Sequence, residues 1–389
     1  AMCCLCLSAL LAACDPPESN QPTTPAGQQP PADVSERFEG QLRIVAWPGY
    51  LERGETDPAF DWISPFERET GCKVQSTTAS SSDEMAALVS DGGFDLVTAS
   101  SDVSQRLIEA GLVEALDLYR IPSFANIDER LREAQWHYVD GRHYGTPFLW
   151  SRNLLAYRTD ILARAPRSWS VLYRSQKLAD GDSNWRRAQA YAGAMSVADA
   201  ALYLMKQKAA LGITDPYQLS EDQYTAVMNL LRSRHGFLSG YWDDVGTQIQ
   251  GFTSGGVVVA NAWPFQVKRL REAGQPVEGT VPVEGTTGRA DTTMLVSGAK
   301  HPECAYRWME WSLNVTVQGA AAAWTGSVPV VPEACDGDTL LGKSGCALNG
   351  ADEFEDIWFW RTPGASCGDG SCVPYTRWAS DYFAIVNGQ

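Results

Sequence analysis

Residues with chemistry to offer stand at matching places in a repeating pattern. Trp47 and Tyr50 follow the apolar run QLRIVA, Ser100, Ser101 and Asp102 follow FDLVTA, Trp263 follows VVVANA, and Asp291 falls just before Met294-Leu-Val. Aromatic faces attract a cation, at about 0.5 to 2 kcal/mol each, and a carboxylate supplies the opposite charge. Together these are the parts of a cage for an amine. Each also fits a plainer role: a tryptophan in a chain with 14 of them packs cores, Asp102 complements a helix dipole, and Asp291 satisfies the N–H groups of a turn. Their shared placement, more than their types, sets them apart.

The elements that must carry them alternate between strand and helix. Gln41–Ala46 reads as a strand ending in a Trp-Pro-Gly-Tyr turn, and a helix capped by Ser82 runs to Val89. Phe94–Thr98 reads as a second strand, and a helix then starts near Ser100 and closes at Gly111. Further on, 144–148 reads as an extended crossing and 153–157 as a strand, followed by helices over 197–211 and 221–234. A buried strand at Val257–Ala260 leads through Trp263 to a helix with Pro264 in its first turn; 280–282 is extended, and another helix starts at Pro302. Such alternation argues for mostly parallel sheets covered by helices. In open sheets of this kind ligands gather at the carboxyl ends of strands, which places the residues above on the rim of one cleft. The two extended crossings suggest two lobes.

The 389 residues carry 31 Lys and Arg against 47 Asp and Glu, a formal charge of −16. That balance works against phosphate backbones and so against nucleic-acid binding. The four histidines, 137, 143, 235 and 301, are far apart and no HExxH occurs, so no metal and no cofactor is expected. Gly364–Gly368 matches G-x-S-x-G in letters only, because it follows a proline and holds Cys367.

The uncharged opening AMCCLCLSALLAAC fits the apolar part of an export signal, and Leu11-Ala12-Ala13-Cys14 looks like a bacterial lipobox with Cys14 as the lipidated residue. Residues 14–39, rich in Pro, Gln, Ser and Thr, then form a flexible tether. Six cysteines follow: Cys72, Cys304, Cys335, Cys346, Cys367 and Cys372. Exported chains favour disulfides. Local pairs 335 with 346 and 367 with 372 would leave 72 with 304 as a long staple; buried free thiols are the other reading.

LRIVAWPGYLE, FDLVTASSDVSQRLIEAGLVEALD, YGTPFLW, ADAALYLM, GITDPYQLSEDQY, VVVANAW and the VPVEG to Ala290-Asp291 stretch, in that order and spacing, resemble the spermidine/putrescine-type solute-binding proteins of bacterial ABC importers. The likeness runs from about residue 41 to 330, and the cysteine-bearing tail is similar to a branch with extra disulfides. It implies an α/β, two-lobed periplasmic-binding-protein fold of type II, hinged between lobes, each lobe a mostly parallel sheet flanked by helices. Lobe 1 would hold residues 40–146 plus about 291–326 and lobe 2 residues 147–290. A segment from about 327 to 389 would pack on lobe 2. It further implies a monomer that takes a small amine such as a polyamine, gives it to a permease, and stands in the periplasm, tethered to the outer face of the cytoplasmic membrane.

By this resemblance Trp47, Tyr50, Ser100, Trp263 and Asp291 match the family's ligand residues, with Ser101 beside them at the helix start. Asp199 matches one member of an acidic pair whose other position is Leu202. Three positions depart: a site aromatic falls at Asp102, another at Arg289, and a late tyrosine near Ser327. A guanidinium at 289 stays charged and repels a second ammonium. Arg289 then points away, or pairs with Asp102, or the solute is a zwitterion or oxyanion. Two other classes stay open: an exported enzyme using Asp102, Asp199 or Asp291 as acid or base, and an adhesion protein presenting Trp358, Trp360 and Trp378.

Overall fold

Gln41–Ala46 buries Leu42, Ile44, Val45 and Ala46, and pairs in parallel with Lys73–Thr78 on one side and Leu96–Ser100 on the other. The computed structural model describes residues 40–336, 338–367 and 370–389; the expected signal, Cys14 and the whole tether lie outside the described residues. Helices follow these strands with ordinary capping. The Ser81 side chain accepts from Glu84 N at the start of Ser82–Asp91, so the cap is one residue earlier than expected. The second strand likewise runs two residues further than its apolar letters suggest, to Ser100, which is also the residue that opens helix Ser101–Glu109.

Two sheets organise the chain. The first has the order 328–329, 146–152, 286–295, 96–100, 41–46, 73–78, with 357–359 added alongside 286–295. The second has the order 277–280, 154–158, 259–262, 188–191, 240–242. In each, a parallel core is joined by antiparallel strands that carry the chain between the lobes. Thr146–Arg152 lies in the first sheet and Leu154–Arg158 in the second, so the first crossing is at Asn153; the second falls between Thr280 and Thr286.

The apolar letters Met294-Leu-Val mark only the end of the strand Thr286–Leu295. It is ten residues long and buried throughout. Its polar letters TTGRADTT do not read as a strand, because apolar patterning reports burial against oil-like neighbours and this strand lies under a polar cleft. Asp291 therefore sits in mid-strand, with Arg289 and Thr287 on the same face by the two-residue period. Opposite it, the register shifts between Asp291 and Thr292, a bulge at Phe148 in the partner strand. At Gly288 a side chain would strike the Ser151 carbonyl and Ile357, so the close seating of the 357–359 strand needs glycine there.

The crossings are stitched together. Asn153 Nδ2 donates to Thr287 Oγ1 at 2.7 Å, Asn153 N to Thr287 O at 2.8 Å, and Thr286 Oγ1 to Asn153 O at 2.8 Å.

Cysteines pair as 72 with 304, 335 with 346, and 367 with 372. The first joins the strand edge at Cys72 to helix Pro302–Ser312, closing a loop of 232 residues, which on chain-entropy grounds contributes about 5.5 kcal/mol. The C-terminal segment, expected on lobe 2, bonds to both lobes. Thr362 Oγ1 donates to Asp102 O at 2.5 Å and Tyr375 Oη to Asp83 at 2.7 Å on lobe 1. Tyr217 Oη donates to Trp358 O at 2.8 Å and Arg361 pairs with Asp215 on lobe 2, while helix Tyr375–Val386 packs on helix Glu221–His235. Among the described residues no helix is long and apolar enough to cross a membrane.

Candidate functional site

Three strand ends and one mid-strand segment bring the site together. The turn after Gln41–Ala46 passes through Gly49 at φ +82°, where a side chain would strike Phe265, and this tight turn delivers Trp47 and Tyr50 inward. Trp263 ends the Val259–Ala262 strand; its backbone N–H donates to Gln266 Oε1 at 2.6 Å, and Pro264 opens the helix behind it. Trp47 and Trp263 then meet edge to face across the lobes, with centroids 5.7 Å apart.

Arg289 fills the space they define. Its guanidinium carbon lies 4.3 Å from the Trp263 ring centroid and 5.0 Å from that of Trp47. Its Nε stands 3.5 Å from Asp291 Oδ2, which also accepts a short hydrogen bond from Tyr50 Oη. So Arg289 neither points away nor pairs with Asp102; it lies inside the aromatic box, two residues along one strand face from its carboxylate. All five side chains are buried, Arg289 with 4% of its surface exposed.

Burial lifts the Asp291 carboxyl above its usual range, held back by Arg289 and by the Tyr50 hydroxyl. Burial together with the neighbouring Asp291 pushes the Tyr50 phenol well up, so it stays a donor. Burial opposes the charge on Arg289, yet Asp291 holds its pKa above the ordinary value. The hydrogen bonding is unfinished. Arg289 Nε and Nη1, Trp47 Nε1 and Asp291 Oδ1 are buried and have no hydrogen-bond partner among the described residues.

The remaining expected residues fall around this core in different ways. Ser100 Oγ donates to Asp102 Oδ1 at 2.5 Å and lies 3.2 Å from Ser82 Oγ, while Ser101 Oγ accepts from Ala290 N at 3.5 Å. Asp102 is buried, its carboxyl raised by burial against the pull of Arg106, whose Nε donates to Asp102 O at 3.4 Å. It serves the helix start and Arg106 more than the cage. Asp199 accepts from Thr287 Oγ1 at 2.5 Å, two residues before Arg289 on the same strand face, and burial pushes its carboxyl up to about 6. Ser327, buried just before the strand Val328–Pro329, accepts through its carbonyl from Asn349 Nδ2.

Two contributors do not figure in the sequence reading of the site. Tyr191 ends the Ala188–Tyr191 strand, as Trp47 ends its own, and touches Trp263 and Trp242. Trp360, from the tail, stacks on Tyr191 at 6.1 Å and donates through Nε1 to Thr287 Oγ1 at 3.2 Å. A residue following a strand like the others marks Tyr191; nothing local marks Trp360, whose place depends on the 357–359 strand finding Thr286–Gly288. As for the enzyme reading, Ser366 lies on a two-residue strand beside the bonded Cys367.

A family model described as bacterial extracellular solute-binding protein matches residues 61–341. The putrescine/agmatine-binding protein of Pseudomonas aeruginosa is 25% identical over 288 residues, 69% of this chain and 75% of that one. The putrescine-binding periplasmic protein PotF of Escherichia coli is 25% identical over 292 residues, 71% of this chain and 74% of that one. Among solved structures, the Tp0655 (TpPotD) lipoprotein of Treponema pallidum superposes with a TM-score of 0.67 at 18% identity, over 89% of this chain and 99% of that one. The fold is the two-lobed, type II periplasmic-binding-protein fold.

Proposed function

The chain belongs to the bacterial extracellular solute-binding proteins, the binding components of ABC importers, and from that premise we propose that it is a periplasmic lipoprotein that captures a small amine-bearing solute and hands it to a permease. Cys14 is the lipidated residue and residues 14–39 the tether, which leaves the two lobes free to work at the outer face of the cytoplasmic membrane. The protein acts as a monomer and breaks no bond.

One observation carries the reading. Asp291 is a fully buried side chain whose Oδ1 has no hydrogen-bond partner among the described residues, two residues along the strand from Arg289, which lies against tryptophans drawn from opposite lobes. An ammonium placed on Oδ1 gains a carboxylate whose other oxygen is held by Tyr50. Because Trp47 and Tyr50 ride on one lobe and Trp263 on the other, a solute that touches both favours the closed state, and closure is the signal a permease reads. The names of the curated relatives, putrescine with agmatine in one and putrescine in the other, support the amine.

Thermal unfolding of the chain from Val34 onward, with small mono- and diamines, polyamines and amino acids, tests this. A binder present at 100 times its dissociation constant adds about 2.7 kcal/mol. Stabilisation by an amine-bearing compound that vanishes in Asp291→Asn is the expected result. Failure of every such compound overturns the reading.

A further inference from the structure

An amine cage that already holds a cation is a different receptor from an empty one. Arg289 brings a fixed positive charge against Asp291, so the pair sums to zero. A dication entering beside Asp291 would find that carboxylate already countered, and its second ammonium would lie beside a guanidinium that does not deprotonate. What the site offers is one acceptor and several donors. Asp291 Oδ1 is the acceptor; Arg289 Nη1 is a buried donor with no hydrogen-bond partner among the described residues, and Arg289 Nε and Trp47 Nε1, which both lie toward Asp291, make none of good geometry. Leaving such buried groups unpaired is costly, more so where charged, and is the kind of deficit a matching ligand group makes good.

Building on the amine reading above, we propose that Arg289 is the specificity-determining residue and that the solute is a small amino acid or amino-phosphonate whose anionic group bridges Arg289 and Trp47 while its ammonium sits on Asp291. Planar, forked and fixed between two ring faces, the guanidinium is preorganised for a carboxylate or phosphonate. Arg289 and Asp291 share one face of one strand at i and i+2, so the two charged ends of the solute are held a few carbons apart. The position of the family's aromatic residue is thereby turned from a wall that faces a second ammonium into a partner for its opposite.

Matched pairs of compounds that differ only in one end group provide the test: 1,3-diaminopropane against 3-aminopropanoate, and cadaverine against 5-aminopentanoate, with 3-aminopropylphosphonate as a second anion. Titration calorimetry is done on the wild type, Arg289→Gln, Arg289→Lys and Asp291→Asn, each checked first for a cooperative thermal transition. In the wild type, at least one amino acid or the phosphonate should bind ten-fold or more tightly than its diamine partner. Arg289→Gln should lose that compound by ten-fold or more and gain affinity for the diamine, and Arg289→Lys should keep the preference at reduced strength. A wild type that binds a diamine as well as or better than its partner overturns the inference and keeps the amine reading. So does a wild type deaf to all probes whose Arg289→Gln form binds a diamine. Silence in every well-folded variant overturns the amine reading itself, and the inference with it.

Discussion

Arg234 and Arg289 are both buried guanidiniums, 1% and 4% exposed, yet they are held in opposite ways. Arg234 sits in the last turn of helix Glu221–His235. It donates to Tyr382 Oη at 2.7 Å, with the Tyr173 ring 5.2 Å away. Its surroundings belong to lobe 2 and to the C-terminal helix packed on it. Arg289 takes Trp263 from lobe 2 but Trp47 and, through Asp291, Tyr50 from lobe 1. A cation wrapped by one body is part of that body's core. One wrapped by two bodies depends on how they stand, so its environment changes whenever they move. The same residue type is thus a structural cation in one place and part of a hinged receptor in the other.

The strongest way to break that contrast is to remove the charge that faces Arg289. Asp291→Asn leaves a buried guanidinium without its counter-ion, and breaking a buried pair from one side costs about 3 to 5 kcal/mol. Urea unfolding should show a loss of that size. A loss below about 1 kcal/mol would mean that the tryptophan faces alone hold Arg289. It would then resemble Arg234, which makes its hydrogen bond to a phenol and lies against a ring, with no carboxylate in salt-bridge contact among the described residues.

Arg234→Met is the complementary change and a smaller one. It removes the donor to Tyr382 and the contact with Tyr173 but keeps much of the volume, for a cost of about 1 to 3 kcal/mol. Solute affinity, measured by calorimetry with the tightest probe, should stay within two-fold of the wild type. A ten-fold loss would merge the two regions into a single site.

Much of this arrangement is legible in the letters, and the parts that are not share a cause. Strand ends such as Trp47 and Trp263 announce themselves because an apolar run stops at an aromatic residue, and Pro264 marks the helix that follows. Local cysteine spacing brings 335 and 346 together, and 367 and 372, as the bonds show. Thr286–Leu295 hides because its residues are polar where they line the cleft. Trp360 hides because its position is fixed by a pairing more than 60 residues away, between Ile357–Phe359 and Thr286–Gly288. The direction of Arg289 is set by which face of a polar strand turns inward, and that depends on the register with Ser151 and Trp150.

Asp199 lies between the two arginines and gives the finest test of their separateness. It accepts from Thr287, on the strand face of Arg289, while Arg234 acts on it from the lobe 2 side. Burial outweighs both and raises its carboxyl to about 6 from 3.8. The folded protein then holds this proton more tightly than the unfolded chain does. The associated stability is fully present below about pH 4 and is lost as pH rises through about 6. Two units at about 1.4 kcal/mol each set the upper limit, and the partial exposure of Asp199 brings the expected loss to about 1 to 2 kcal/mol. His137, buried and depressed to about 4, slopes the other way, but it does so equally in wild type and in Asp199→Asn. Chemical unfolding of both between pH 4.5 and 7 therefore isolates the effect as their difference, which should fall with rising pH. A flat difference would mean that Asp199 is ionised throughout, because Arg234 cancels its burial. The carboxylate would then link Arg234 electrostatically to the strand of Arg289, and the structural cation and the receptor cation would answer to one network.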